Sequence, residues 1–95
     1  MPQWAVKGDP TDGGGGDLHT TVSTIYAEGI LVVTHVSDAE PDNGMDGLHN
    51  NPRTQEHSPN VFAEGNPAHR IDDSRVCGHH TVVQGNQTVY VNELG

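Results

Sequence analysis

The chain has 95 residues, a net charge of −9 with histidine neutral, and 32% hydrophobic residues. We expect a single domain over residues 1–95 with a marginal core, because so short a domain buries only about 60% of its unfolded-chain surface. Four cationic residues are too few to neutralise a run of phosphates, which argues against a nucleic-acid partner. No apolar run reaches the roughly 20 residues that span a bilayer. The opening Met1-Pro2-Gln3-Trp4 does not resemble a signal peptide, so we expect synthesis in a cytoplasm.

A chain this polar needs a stabilising device besides its core, such as a disulfide, a metal ion or a covering partner. Cys77 is the only cysteine, which excludes a disulfide within the chain. Seven histidines point to a metal ion instead. Intrinsic disorder is the alternative, since low hydrophobicity with high net charge is its signature. The β-type segments described next argue against disorder.

Short β-type segments follow one another along the chain, and no stretch of a dozen residues has the apolar spacing of an amphipathic helix. The segments are residues 22–26, 30–36, 60–63, 69–71, 81–83 and 88–91. Gly, Pro, Asn or Asp bounds each of them. Long loops cover residues 8–17, which contain four consecutive glycines, and residues 37–52. The sequence therefore predicts an all-β fold with short strands and long loops.

An internal repeat of strand, turn, strand and loop runs about three times along the chain. Residues 23–29, 59–65 and 87–93 each place a β-branched residue, an aromatic, a small apolar residue and a polar turn in register. Residues 5–9, 31–35 and 68–72 align as the return strands, so Asp9 and Asp72 are expected to accept turn hydrogen bonds. Since one hairpin cannot bury its own apolar face, we expect three around a common axis, with the long loops converging at one end.

The repeat resembles the PAAR-repeat family over about 35 residues of its C-terminal half. The match centres on Pro67-Ala68-His69-Arg70 with the following Ile71-Asp72, and continues through Cys77-Gly78-His79-His80. His69 and Ile71 depart from the Ala and Gly of the family motif. The resemblance implies a short conical domain of β-hairpin repeats, with a metal ion near its apex and a broad base.

The resemblance also implies a function and a partner. The family member would be a structural, non-enzymatic tip that caps a trimeric β-helical tail spike, one copy per trimer, and pierces a cell envelope without spanning the membrane. Its place would be the tip of a phage tail spike or baseplate in the virion, with a type VI secretion-like spike as the other setting. The expected contact surface is the base, near residues 27–29, 63–65 and 92–95.

Two other functions are weighed against the tip. A small metal-buffering or metal-sensing protein without a spike partner is the alternative that the histidines allow. A metalloenzyme is disfavoured, because the chain has no His-Glu-x-x-His motif and too little apolar sequence to form a pocket.

Candidate metal ligands lie in or beside the long loops, and they are His19, His49, His57, Cys77 and His80. This donor set suits one structural, tetrahedral Zn²⁺, with Fe²⁺ as the other option. The Cys77-x-x-His80 spacing bends around one ion more easily than Cys77-x-His79, so His80 is preferred over His79.

Position in the repeat supports the other three histidines. His19 and His57 fall an even number of residues before a β-branched residue of the following strand, so strand alternation would place both on the inward face. His49 precedes its strand by the same number of residues as Cys77 precedes the next one, which makes His49 a rival to His57 for one ligand position. His35 is expected to be structural, and His69, which lies in a return strand away from the loops, is not expected to be a ligand.

Overall fold

A computed structural model describes residues 3–45, 47–84 and 90. Its regular elements are short. Strands β1 (Tyr26–Ala27) and β2 (Ile30–Leu31) come first and are followed by a 3-10 helix (Gly47–Asn50). Strands β3 (Phe62–Ala63) and β4 (Asn66–Pro67) come after the helix. Within the described ranges, no helix is long and apolar enough to cross a membrane. This composition of strands, bridges and turns agrees with the predicted all-β class. The strands are shorter than the predicted segments, because backbone pairing passes from one neighbour to another after one or two residues.

Two β-hairpins repeat the same local structure. Strands β1 and β2 are joined by Glu28-Gly29, and β3 and β4 by Glu64-Gly65. The φ angles are 53° and 83° in the first turn and 52° and 84° in the second. Positive φ at both central residues defines the type I′ turn, whose twist matches that of the paired strands. The two Ala-Glu-Gly sequences are therefore equivalent turns.

A third hairpin position is filled by residues from the two ends of the chain. Tyr90 forms an antiparallel bridge with Gln3. In the same way, Tyr26 pairs with Leu31 across β1 and β2, and Phe62 pairs with Pro67 across β3 and β4. The three aromatics are therefore equivalent, as the repeat predicts. The remainder of the third predicted segment, residues 87–89 and 91–93, lies outside the described residues.

A closed ring of three backbone hydrogen bonds lies at the centre of the fold. Ala5 donates its N–H to the His69 carbonyl, His69 to the Val33 carbonyl and Val33 to the Ala5 carbonyl, each at 3.0 Å. All three residues are 0% exposed. Since each residue donates to one neighbour and accepts from the other, the ring defines a pseudo-threefold axis.

Three arms surround this axis: arm 1 (residues 3–18), arm 2 (residues 31–54) and arm 3 (residues 67–81). Two layers of isolated bridges join the arms in cyclic order, each arm pairing with the next. The layer beside the ring pairs Val6 with Val32, Thr34 with Ala68 and Arg70 with Trp4; the next pairs Leu18 with Ala39, Thr54 with Arg75 and Thr81 with Thr11. The pseudo-threefold arrangement therefore extends from the hairpins to the base of the long loops.

The ring corrects the predicted alignment of the return strands. Ala5 is equivalent to Val33 and His69, not to the residues at 31 and 68. As a result, Asp73 rather than Asp72 corresponds to Asp9. The Oδ2 of Asp9 accepts the backbone N–H three residues earlier at 2.8 Å, and the Oδ2 of Asp73 does the same. Matching residues by type aligned Ala68 with Ala5, whereas backbone pairing determines the true register.

The apolar core consists of small side chains packed near the axis. It divides into two clusters, one of Val6, Val22, Ala27, Val32 and Ala63, and one of Ala5, Leu18, Val33 and Ala39. Several polar residues are fully buried beside them, including Thr34, Thr54 and Thr81. Three backbones that converge on one axis leave little room for large side chains. This small core is consistent with the need for a further stabilising device.

Candidate metal centre

Four side chains with metal-binding atoms converge where two long loops meet. They are Asp42 and His49 from arm 2, and Cys77 and His79 from arm 3, and one ligand atom of each lies within 4.8 Å of the others. Among the described residues, this is the one group of three or more such side chains. The predicted convergence of loops on a potential metal site is therefore present.

Asp42 is at the centre of the cluster. Its Oδ1 lies 2.7 Å from the Nδ1 of His49, and its Oδ2 lies 2.9 Å from the Nδ1 of His79 and 3.3 Å from the Cys77 Sγ. Since an ionised carboxylate only accepts hydrogen bonds, both imidazoles and the thiol donate to it. The Asp42 side chain is 0% exposed, against 11% for His49 and 31% for His79.

The cluster shifts the pKa values of its two acids, Asp42 and Cys77, in opposite directions. Burial favours the neutral form of Asp42, but the hydrogen bonds from His79, His49 and Cys77 outweigh it and hold the pKa of Asp42 below its usual value. Burial raises the pKa of the Cys77 thiol, and the neighbouring Asp42 adds to this effect. A bound cation would favour the thiolate, the form in which cysteine binds metals.

Backbone hydrogen bonds hold the aspartate-bearing loop in place. The N–H of Asp42 donates to the His49 carbonyl at 2.9 Å, which closes the turn between the two side chains. On the other side, Gly15 of arm 1 forms an antiparallel bridge with Asp42, and Gly16 donates to the Pro41 carbonyl at 3.1 Å. The run of four glycines is thus an ordered strip of backbone beside the cluster.

Two glycines lie directly against the imidazole rings. A β-carbon on Gly13 would be 2.2 Å from the Cε1 of His79, and one on Gly44 would be 2.0 Å from the Cδ2 of His49. Non-bonded carbon atoms do not approach so closely. Each imidazole ring therefore occupies the space that the side chain of any residue other than glycine would need at position 13 or 44. The two glycines therefore form a close-fitting seat for the two histidines.

The donor set fits a divalent transition metal. Two imidazole nitrogens, a thiolate and a carboxylate are all common zinc ligands, and the two anions balance the charge of the ion. A tetrahedral zinc with bonds of about 2.0–2.3 Å keeps its ligand atoms roughly 3.3–3.8 Å apart. In the structure the four ligand atoms lie within 4.8 Å of one another, a limit about an ångström above the separations in a tetrahedral zinc site.

The structure brings together two of the five predicted ligands, His49 and Cys77. His79 accompanies them in place of His80, whose Nδ1 lies 3.8 Å from the Oδ2 of Asp12. Cys77 lies in a tight turn: the N–H of Gly78 donates to the Arg75 carbonyl at 3.0 Å, and Gly78 has a φ of 95°. After this turn the His79 ring lies against Asp42, whereas the backbone N–H of His80 donates to Asp12.

The other two predicted ligands lie outside the cluster. The Nε2 of His19 is 3.0 Å from the Oε2 of Glu40, and the His19 side chain is 52% exposed. The exposed His57 ring lies 4.7 Å from the ring of His35, and its Nδ1–H donates to the Ser58 carbonyl. Regular strand β1 begins at Tyr26 and β3 at Phe62, so alternation cannot be extrapolated back to either histidine.

Asp42 was missed by the sequence reasoning. The chain has 13 acidic residues, and an aspartate in a polar loop carries no signal that separates a ligand from a solvated charge. His49, which lies in the same loop as Asp42, could be predicted because histidines are less frequent in this chain than acidic residues.

No protein-family model matches the chain, and no curated protein matches it. The interpretation of the site therefore depends on its geometry and on the chemistry of its residues.

Proposed function

We propose that this chain is a rigid, metal-stapled cap on the end of a trimeric β-helical spike, where it acts as an envelope-piercing tip of the PAAR-repeat kind. The observation that supports the proposal is the closed ring of Ala5, Val33 and His69. One chain with pseudo-threefold structure can present similar contacts to three identical subunits at once. A single copy then matches a homotrimer, whose subunits are related by a threefold axis.

The hairpin end offers a surface suited to such a partner. Tyr26, Phe62 and Tyr90 occupy equivalent positions and are 59%, 57% and 49% exposed. Aromatic side chains are frequent anchors in protein interfaces, because they bury a large area at low entropic cost. Each aromatic of this triad would contact one subunit of the spike.

The loop end would supply the mechanical tip. A metal ion held by Asp42, His49, Cys77 and His79 would tie the arm 2 loop to the arm 3 loop, while the glycine strip of arm 1 packs beside them. The molecule measures 36 × 24 × 22 Å along its principal axes, and its two short axes are nearly equal. An elongated body with two similar widths is compatible with a conical tip on a threefold spike.

Binding to trimeric β-helical spikes tests the proposal. Native mass spectrometry with a panel of purified spike ends is expected to find one chain per trimer. The variant with Tyr26→Ser, Phe62→Ser and Tyr90→Ser should lose this complex. Met45→Ser is the matched control, since Met45 is fully exposed but lies in the arm 2 loop. Binding at three copies per trimer, or binding that the triple variant retains, would contradict the proposal.

A metal-buffering role is the second candidate, and the exposure of one ligand favours it. The His79 side chain is 31% exposed, which gives a chelator access to the site. A buffer exchanges its ion within the time of mixing, whereas a structural staple retains it through dialysis. Isotope exchange of bound ⁶⁷Zn²⁺ against natural zinc separates the two functions.

A further inference from the structure

Arg75 is a cationic residue enclosed completely by the fold. Its exposure is 0%, and burial lowers its pKa to about 10, so that it stays charged at neutral pH. Burying a guanidinium is unfavourable unless its N–H groups find acceptors. Arg75 was not singled out in the sequence, because an arginine in a polar loop is usually solvated.

The hydrogen bonds of Arg75 go to backbone and hydroxyl oxygens of all three arms. Its Nη1 donates to the carbonyls of Gly16 at 3.0 Å and Pro52 at 2.8 Å, and its Nη2 to the carbonyl of Asp9 at 3.2 Å. Its Nε donates to the Thr81 hydroxyl. The planar fork of an arginine can serve these separate acceptors at once, which a lysine ammonium cannot do in the same geometry.

These acceptors are the roots of the loops that form the metal centre. Asp9 and Gly16 bracket the glycine-rich segment of arm 1. Pro52 follows the arm 2 loop that carries Asp42 and His49. Arg75 and Thr81 flank the arm 3 segment that carries Cys77 and His79. One guanidinium thus fixes the distance between three loops before their tips meet.

We infer that Arg75 is a positioning residue for the metal centre, which holds the three loops so that the ligands converge before an ion binds. The inference rests on the proposed metal-binding function. Without this guanidinium, the ion itself would have to order the loops, and the entropy lost on ordering them would weaken binding.

Cobalt titration of Arg75→Met and Thr81→Val tests the inference. Co²⁺ serves as the probe because its visible absorption reports both affinity and coordination geometry. Arg75→Met is expected to bind Co²⁺ about 10–100-fold more weakly than the wild type, the range found for residues that orient metal ligands. Thr81→Val, which loses one of the four acceptors, should show a smaller loss, and Arg75→Lys should recover only part of the affinity.

The matched control is Arg53→Met, which alters a half-exposed arginine of the arm 2 loop and should leave Co²⁺ affinity unchanged. All titrations are made at a temperature at which circular dichroism shows each variant to be folded. A folded Arg75→Met protein that melts earlier but binds Co²⁺ as tightly as wild type, with the same spectrum, would overturn the positioning role. A wild type that binds no Co²⁺ would instead overturn the metal centre itself.

Hydrogen exchange of the metal-free wild type provides a test that needs no variant to fold. The amides of Gly16, Asp42 and Val76 donate to Pro41, His49 and Arg53 in the three loops. Protection of these amides in the presence of a chelator would support loops ordered by Arg75. Exchange at unprotected rates until Co²⁺ is added would show that the metal orders them, and would overturn the inference.

Discussion

The imidazole of His79 lies directly over the Cα of Gly13, so that a β-carbon there would be 2.2 Å from its Cε1. The contact joins arm 1, which contributes no side chain to the cluster, to a ligand from arm 3. The asymmetry is informative: arms 2 and 3 provide the ligands, and the corresponding part of arm 1 provides bare backbone. The glycine run is thus part of the candidate metal centre.

Gly13→Ala and Gly44→Ala are predicted to weaken metal binding, because each added methyl group displaces a ligand ring. We expect at least a tenfold loss of Zn²⁺ affinity, about 1.4 kcal/mol, measured by competition with a chromophoric chelator. Neither glycine has a left-handed φ, so backbone strain does not complicate the result. Gly47→Ala is the control, since a β-carbon there meets no atom within 4 Å. Equal Zn²⁺ affinity in all three variants would show that Gly13 and Gly44 do not position the histidine rings for metal binding.

Single histidine substitutions should separate ligands from bystanders. His79→Ala and His49→Ala are predicted to remove bound metal after dialysis, since each deletes one of the clustered donors. His80→Ala, His19→Ala and His57→Ala should retain about one ion per chain. Mass spectrometric metal analysis checks this directly. Loss of the ion in His80→Ala, with retention in His79→Ala, would favour the spacing argument from the sequence over the structure.

Acid is predicted to destabilise the metal-free protein through His69. Burial is the main cause that lowers the pKa of His69 to about 3, and the nearby charges of Arg75 and Arg70 lower it further. The neutral ring donates through Nδ1 to the Glu56 carbonyl at 2.8 Å and accepts at Nε2 from the Thr81 hydroxyl at 2.7 Å. A proton on Nε2 would reverse the second bond, and the Thr81 oxygen, which already accepts from Arg75, would have to accept from both cations.

The direction of the effect follows from linkage. An unfolded His69 takes up a proton near pH 6.5, but the folded one does so only near its pKa of about 3, so stability is complete above pH 6.5 and falls as the pH drops towards 3. Between pH 7.5 and pH 5 the loss should be about 2 kcal/mol. Urea unfolding in a chelator measures it. His69→Val places at residue 69 the valine found at the equivalent Val33, and its free energy of unfolding should fall less between pH 7.5 and pH 5. The same pH dependence in the variant and the wild type would exclude His69 as the source of the effect.

Asp73 and Asp72 are predicted to differ sharply despite being neighbours. Asp73→Ala removes the acceptor of the Arg70 N–H and the partner of its guanidinium, and should cost roughly 1–3 kcal/mol. Asp72 is exposed and has a φ of 74°, as Gly8 has 96° at the equivalent position, so Asp72→Gly should change stability by under about 0.5 kcal/mol. Urea unfolding of both variants compares them. A larger effect at Asp72 would restore the alignment predicted from the sequence.

The sequence predicts the features of this fold that are local. Two Ala-Glu-Gly turns in register identify the hairpins, because a type I′ turn is specified by its own residues. The aromatic positions follow from the same register, including Tyr90. The return strands were aligned wrongly, since the ring of Ala5, Val33 and His69 depends on pairing between distant segments. No pattern of residue types reveals such pairing.

The candidate site was predicted in part for a similar reason. His49 and Cys77 stand out by residue type in loops that the repeat brings to one end. Asp42 does not stand out in an acidic chain, and the choice of His79 over His80 depends on the turn at Gly78, whose φ is 95°. Arg75 could not be found at all, because its burial results from the convergence of three loops of different lengths.

The bridge between Gln3 and Tyr90 has a consequence for the order of events during folding. The first two hairpins need only nearby residues and can form as soon as they are synthesised. The third position stays open until residue 90 has left the ribosome, since its two strands come from opposite ends of the described chain. Contacts between such distant segments are slow to form, because the chain loses much entropy when its ends are brought together. Assembly of the three-arm body is therefore expected to be a late step that follows formation of the first two hairpins, with the aromatic surface completed last.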